Sequence, residues 1–373
     1  MGSRSTARPA PTAFALAATL AVAGCPRRRG PSAFVRVAAP TTLTRADGDA
    51  LYLLDGLDAV RATERGVRRV SLRGRRCLLD ERLAGVELVP LGDGRRALAS
   101  ADAPNMAFDL FGHAGRHPAV RCVVDFDRGT AEPVDDVFPR LSREAGPARR
   151  GERVTGGASG RLYRAPHYGP LTAVDTATGV AQTLTPERGD ASRCAVAEAG
   201  SMLTVACPDE AFDRAGEYAT RTLRVRRFRV GVGALEPAGE AATPIAMRGL
   251  LGGLTLSPDG RVAVYWGASP TVPDGANEVV MSAVSTDDGR VRFTERRTMR
   301  GYVTAAAALP DGRGVLVGDD VERRGRLRWL RLDGTVAQTW ALDDVPWGLH
   351  ATARADRAWV VCGGDASLVR IAP

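Results

Sequence analysis

A short unit of strand, tight turn and strand recurs along this chain, and few folds accommodate so regular a punctuation. Its clearest copy runs Leu254-Thr255-Leu256-Ser257-Pro258-Asp259-Gly260-Arg261 and then Val262-Ala263-Val264-Tyr265-Trp266. Proline presets φ, and Asp-Gly supplies the positive φ values that hairpin turns demand. A second close copy is Ala307-Ala308-Leu309-Pro310-Asp311-Gly312-Arg313-Gly314-Val315-Leu316-Val317. Looser copies lie at residues 86–95, 159–163, 199–202 and 355–359, with a first one at 46–53. Many units pass through a second turn, as in Asp127-Arg128-Gly129-Thr130, Asp175-Thr176-Ala177-Thr178-Gly179, Ser285-Thr286-Asp287-Asp288-Gly289 and Leu332-Asp333-Gly334-Thr335. With 42 Gly and 23 Pro the chain is interrupted too often for a helical protein, and each unit reads as four strands.

A repeated four-stranded unit is the blade of a β-propeller. The first turns fall near residues 48, 94, 160, 200, 260, 312 and 356, which predicts seven blades. Their spacing runs from 40 to 66 residues. A blade takes about 40–50, so the longer intervals hold insertions, identified at 102–118, 210–220 and 269–277. The last unit begins near residue 345 and has room for three strands. The unassigned run Ala33-Phe34-Val35-Arg36-Val37-Ala38 is expected to supply its fourth strand and remove an exposed sheet edge. The fold class is therefore all-β, a single β-propeller of seven four-stranded blades over residues 33–373. A β-sandwich of this length would need two domains, and no linker divides the chain.

Residues 1–24 read as a signal peptide. Arg4 and Arg8 precede an apolar run over 13–24 that is too short to span a bilayer as a helix. The run ends Val22-Ala23-Gly24-Cys25, with small residues where a peptidase cleft needs them and a thiol that can form a thioether. This order resembles the lipobox of bacterial lipoproteins. The resemblance implies acylation of Cys25, with palmitate among its lipids, a lipid bilayer as partner, and export to a bacterial cell envelope. Residues 25–32, with Arg27, Arg28 and Arg29, read as a lipidated basic tether. Proline follows the cysteine, not the aspartate of inner-membrane retention, which permits outer-membrane sorting.

All 51 basic residues counted as Lys+Arg are arginine, which excludes Schiff-base, pyridoxal and phosphate-loop lysine chemistry. Removal of the signal peptide takes away two arginines and no acid, so the formal charge falls from +8 to +6. The arginines are scattered, not striped, so no nucleic-acid partner is expected. If Cys25 carries lipid, Cys77, Cys122, Cys194, Cys207 and Cys362 are left, and an exported protein can form disulfides. Cys194 and Cys207 lie on two apolar runs joined by a short turn and form a candidate bridge. Cys77–Cys122 is a second candidate pair. An odd number leaves a thiol free, and Cys362, in Trp359-Val360-Val361-Cys362, reads as a buried core residue. No Cys-Xaa-Xaa-Cys or Cys/His cluster calls for zinc.

At 256–261 and 309–313 the chain resembles the PD-type repeats of WD-like propellers, including that of the Tol envelope system. Asp175-Thr176-Ala177-Thr178-Gly179 resembles the turn of quinoprotein-type and envelope-assembly propellers. The Tol propeller carries an extra N-terminal domain for which this chain has no room. The assembly lipoprotein repeats a tryptophan through its blades, whereas all five tryptophans here lie at or after Trp266. The resemblance thus implies the fold and not one subfamily. Ser285-Thr286-Asp287-Asp288-Gly289 partly resembles the sialidase Asp-box, but it occurs once and lacks the following tryptophan.

Asp109, His113 and His117 sit on the insertion at 102–118. The two histidines have the spacing of a helical metal pair, but Gly112 and Gly115 argue for a loop, and a loop is where binding function concentrates. His350 lies near the expected central channel and is a further candidate binding residue. His167, beside Tyr163 and Tyr168, reads as packing. The pairs Asp135-Asp136, Asp287-Asp288, Asp319-Asp320 and Asp343-Asp344 read as solvated turns, because adjacent strand residues point to opposite faces and glycosidase carboxylates must face each other at about 5–9 Å. No catalytic constellation, cofactor or metal is expected. The function expected is that of a monomeric, membrane-anchored envelope lipoprotein whose propeller binds or scaffolds an envelope protein. The alternative is a propeller enzyme or small-ligand binder with its site at the central channel.

Overall fold

The computed structural model describes residues 34–36, 44–72, 87–100, 121–140, 153–166, 169–185, 191–209, 221–245, 247, 250–270, 276–363 and 365–371. A closing strand, β1 (Phe34–Arg36), comes first. Blade 1 follows as β2 (Arg45–Asp47), β3 (Ala50–Asp55), β4 (Asp58–Thr63) and β5 (Gly66–Ser71). Blade 2 is β6 (Glu87–Pro90), β7 (Arg96–Ser100), β8 (Arg121–Asp125) and β9 (Thr130–Pro133). Blade 3 is β10 (Arg153–Gly156), β11 (Arg161–Ala165), β12 (Thr172–Asp175) and β13 (Ala181–Thr183). Blade 4 is β14 (Ala195–Ala199), β15 (Met202–Asp209), β16 (Arg221–Val230) and β17 (Leu235–Ile245). Blade 5 is β18 (Leu250–Leu256), β19 (Val262–Pro270), β20 (Asn277–Ser285) and β21 (Val291–Met299). Blade 6 is β22 (Gly301–Ala308), β23 (Val315–Val321), β24 (Arg324–Leu330) and β25 (Val336–Leu342). Blade 7 is β26 (Gly348–Ala351), β27 (Arg357–Val361) and β28 (Asp365–Arg370).

Each blade is a separate four-stranded antiparallel sheet, and the seventh is completed by β1 on the free edge of β28. Phe34 pairs with Ser367, Val35 with Ala366 and Arg36 with Asp365. The ring is therefore closed by the N-terminal run assigned to that role. The seven first turns fall where the repeat placed them, and Gly48, Gly94, Gly160, Gly200, Gly260 and Gly312 all hold positive φ there.

The apolar pattern explains why the sheets stack as a ring. The second strand of a blade is apolar on both faces, as in Ala50-Leu51-Tyr52-Leu53 or Val262-Ala263-Val264-Tyr265, where every residue is buried. Alternate residues face opposite neighbours. Ala50 and Tyr52 pack towards blade 2 with Leu88, Ala97 and Val124. Leu51 and Leu53 pack towards blade 7 with Trp359, Val361 and Leu368. The buried residues fall into seven clusters, one for each contact between neighbouring blades. Among the described residues the apolar core consists of these seven seams.

The turns are held by short side chains. Asp125 Oδ1 accepts from the backbone N–H groups of Asp127 and Arg128, each at 3.0 Å. Asp175 Oδ1 repeats this with Ala177 and Thr178. Thr176 Oγ1 and Thr286 Oγ1 each donate at 2.6 Å to the first-turn carbonyls of Gly160 and Gly260, tying the two turns of one blade together. Gly260 also meets blade 4, where a Cβ would stand 2.7 Å from Thr204 Oγ1.

Two readings of the acidic pairs are corrected. Asp135 and Asp136 lie in a four-residue helix, Val134–Val137. Asp319 is not a solvated turn residue but is fully buried on β23. Its carboxylate accepts from Arg297 of blade 5 at 2.9 Å, Arg326 at 2.9 Å and Arg328 at 2.8 Å, while Glu295 pairs with Arg328 at 2.7 Å. Burial raises the carboxyl's proton affinity, but the Arg297 and Arg328 guanidinium groups outweigh it and hold the acid below its usual range. The free thiol expected at Cys362 is also corrected: Cys362 is buried, as expected, but it is disulfide-bonded.

Alternating strand direction puts first-to-second and third-to-fourth turns at one end of every blade. The second-to-third connections, and the links between blades, lie at the other end. All three sequence insertions connect second to third strands, in blades 2, 4 and 5, and so leave from this second face. The third is shorter than read, because β19 extends to Pro270. Among the described residues no helix is long and apolar enough to cross a membrane.

Because the blade 7–blade 1 seam is one of seven, removing its anchor weakens the whole ring. Trp359 is fully buried in that seam and donates its indole N–H to the Asp49 carbonyl at 3.2 Å. Trp359→Ala is expected to lower the unfolding free energy by about 3–5 kcal/mol in urea titration. Trp347→Ala, at an exposed site, is expected to change it by no more than about 0.5 kcal/mol.

Candidate functional site in the central cavity

Most neighbouring first strands contact one another around the axis. Six of the first strands, β2, β10, β14, β18, β22 and β26, bound a cavity of about 470 Å³. Small side chains make the wall, among them Ala46, Gly156, Ala195, Ala197, Ala307 and Ala351. Each first strand pairs through one edge only. Its other edge turns unpaired N–H and C=O groups towards the axis, and such groups need partners when removed from bulk water. The cavity thus offers a polar backbone surface and a few charged side chains.

Those side chains mostly fasten neighbouring blades. Glu198, on β14, accepts from the Ser159 N–H at 2.7 Å, from Ser159 Oγ at 3.0 Å and from the Tyr163 hydroxyl. Burial and the Glu198 carboxylate together push the Tyr163 phenol far above its usual range. His350, on β26, is joined through Nε2 to Thr44 Oγ1 at 2.7 Å, which bridges blades 7 and 1 at the axis. Burial first, and the Arg45 guanidinium second, push its imidazole down to about 4. The ring is therefore neutral near pH 7.

Arg45 and Asp47 project from β2. Burial raises the Asp47 carboxyl above its usual range; the Gly94 N–H opposes this, and the Asp93 carboxylate adds to it. Among the described residues Asp47 Oδ2 accepts no hydrogen bond. Tyr52, behind this strand, is pushed up to about 12 by burial although Arg61 Nε donates to its hydroxyl at 3.3 Å.

Of the residues singled out in the sequence, His350 lies on the cavity wall. Cys194, also on the wall, is bonded to Cys207 across the first hairpin of blade 4. Cys122 is disulfide-bonded. Cys25, Cys77, Asp109, His113, His117 and His167 lie outside the described residues. Among the described residues no group of three or more His, Cys, Asp and Glu side chains could hold a metal ion. Sequence reading missed Arg45, Asp47 and Glu198. Glu198 had a signal, since it is the one charge in Ala195-Val196-Ala197-Glu198-Ala199; Arg45 and Asp47 looked like ordinary turn residues.

No protein-family model matches the chain, and no curated protein matches it. Among solved structures it is similar to hydrazine synthase of Kuenenia stuttgartiensis, at 12% identity and a TM-score of 0.54, covering 91% of this chain and 97% of that one. The Cps50 (Swd1) β-propeller domain of Myceliophteria thermophila matches at 12% identity and a TM-score of 0.49, over 91% and 98% of the two chains. The Dos1 propeller matches at 13% and 0.46, over 85% and 77%. At these identities the first likeness extends to the fold alone. The chain is a seven-bladed β-propeller.

The His350 site has a pH signature. Its imidazole titrates near 4 in the fold and near 6.5 in the unfolded chain. Between these values the unfolded chain binds more protons, so this group costs stability as pH falls from about 6.5 to about 4. His350→Gln is expected to show a smaller drop in thermal midpoint between about pH 6.5 and about pH 4.5 than the native protein. Equal drops in the two proteins would show that His350 does not carry the effect.

Proposed function

We propose that this protein is an exported bacterial lipoprotein, acylated on Cys25, whose propeller presents a binding surface to another protein of the cell envelope. The observation that carries the reading is the gathering of three long connections on one face. The insertions of blades 2, 4 and 5 all leave from it. Tyr302, at the start of the first strand of blade 6, and Trp347, just before that of blade 7, are exposed there. Exposed aromatics beside long surface connections are typical of protein-binding surfaces. A closed ring of sheets is generally a protein-binding or scaffold module, because it holds such connections in fixed relative positions. The order of charge, apolar run, small residues and cysteine at residues 4–25 supports the anchor.

Cysteine number supplies a test of the anchor. Acylation of Cys25 leaves five cysteines, an odd number, so an acylated chain keeps at least one free thiol. Cys122, Cys194, Cys207 and Cys362 are all bonded in this structure, so the count bears directly on Cys25. Cells fed an alkyne fatty acid are expected to label the native protein and not Cys25→Ala. The labelled protein, denatured without reductant, is expected to give at least one free thiol per chain. An unlabelled protein with none refutes the anchor.

The binding face is tested separately. A photo-crosslinking residue at Trp347 is expected to capture a discrete envelope protein in intact cells. The same residue at Val180, exposed beside a turn on the opposite face, is expected to capture nothing specific. Equal capture from both positions would dismiss the face assignment.

A further inference from the structure

We infer that the propeller rests with its tight-turn face against the lipid bilayer, so that the long connections of the second face point away from the membrane. This rests on the acylation of Cys25 proposed above and names the surface that meets the lipid. The course of β1 carries it. β1 is the outermost strand of blade 7, where Phe34 pairs with Ser367 and Arg36 with Asp365. Asp365 opens β28 just after the second-to-third connection of that blade, and so marks the second face. β1 therefore runs towards the second face, and the chain enters it from the side of the tight turns. Cys25 precedes Phe34 by 9 residues. At about 3.3–3.6 Å per residue such a tether reaches roughly 30 Å at most. Strands of 9 residues, such as β20, are themselves about 30 Å long. A tether led back past a blade to the second face would be spent on that height.

The exposed apolar side chains divide in the same sense. Among the described residues the large ones are five valines, Tyr302 and Trp347. Val67, Val180, Val232, Val291 and Val336 each lie in or beside a third-to-fourth turn, one in each of blades 1, 3, 4, 5 and 6. Tyr302 and Trp347 lie on the second face. A single exposed valine is ordinary; five on the face from which the tether leaves make an apolar rim there. Withdrawing that rim from water is favourable whatever its direction. The same turns carry both signs of charge, as in Glu64 with Arg65 and Asp127 with Arg128. The attraction to anionic headgroups is supplied by the arginines at 27–29 of the tether. A protein partner is then met from the aqueous side.

The test uses the full acylated protein in vesicles of phosphatidylethanolamine and phosphatidylglycerol. A photo-crosslinking residue replaces Val67, Val336 or Trp347, and acylation of Cys25 is checked separately by the alkyne fatty acid. Val67 and Val336 belong to the blades on either side of blade 7, and Trp347 lies just before the first strand of blade 7 on the second face. Lipid adducts from each valine position are expected to exceed those from Trp347 by about tenfold. Acylated protein in which either valine position fails to exceed Trp347 overturns the orientation and leaves the anchor standing. Protein that carries no acyl chain overturns both.

Discussion

A four-stranded sheet whose two faces are both apolar cannot stand alone, and every other feature of this molecule follows from that. Each blade needs a neighbour on each side. A row of blades would leave two bare faces at its ends, and only a ring removes them. The seven clusters of buried side chains are the physical form of this requirement, one cluster to a seam. Burial is worth roughly 25 cal/mol per Å² of apolar surface, and here it is spread over seven seams. Opening one seam exposes two faces at once, so the stability of each blade depends on closure elsewhere. The closing strand β1 is only three residues long, yet it lies at the point where the chain's two ends must meet.

The turns do a different job. Wedge-shaped packing sets how far neighbouring sheets splay, but first and third-to-fourth turns must also fit against each other. Aspartate and threonine side chains meet this need by satisfying backbone groups that the turn leaves open. Asp259 illustrates the reach of one such residue: its Oδ2 accepts from the Asp311 N–H of the next blade at 2.9 Å. The Pro-Asp-Gly signature is therefore both a local turn and a link between blades.

Much of this architecture was legible because it is local. A turn needs glycine at one position, and a strand buried on both faces needs an unbroken apolar run; both leave marks within ten residues. Ala46 to Leu53 and Ala355 to Trp359 were weak copies, yet their turns fell in phase with the rest. What could not be read is what depends on distant residues. Asp319-Asp320 has the composition of a solvated turn. Only the arrival of Arg297 from the previous blade, with Arg326 and Arg328, makes burial of Asp319 tolerable. Cys362 looked like a lone core thiol because the cysteine nearest to it in sequence is Cys207. The cavity was anticipated only as a channel, since its wall is six short strands drawn from across the chain.

Three charged or polar side chains set into the seams each join two blades. Glu198 of blade 4 holds Ser159 and Tyr163 of blade 3, His350 of blade 7 holds Thr44 at the entry to blade 1, and Asp319 of blade 6 holds Arg297 of blade 5. A charge or polar group buried at a seam is costly unless its partner is in place, so these pairs penalise any sliding of one blade past the next. Apolar packing alone tolerates such sliding, because it has no direction. The polar pairs thus fix the alignment of a ring whose cohesion is hydrophobic. In the proposed protein-binding role, recognition falls to the long connections of one face, on which the register of the ring does not depend.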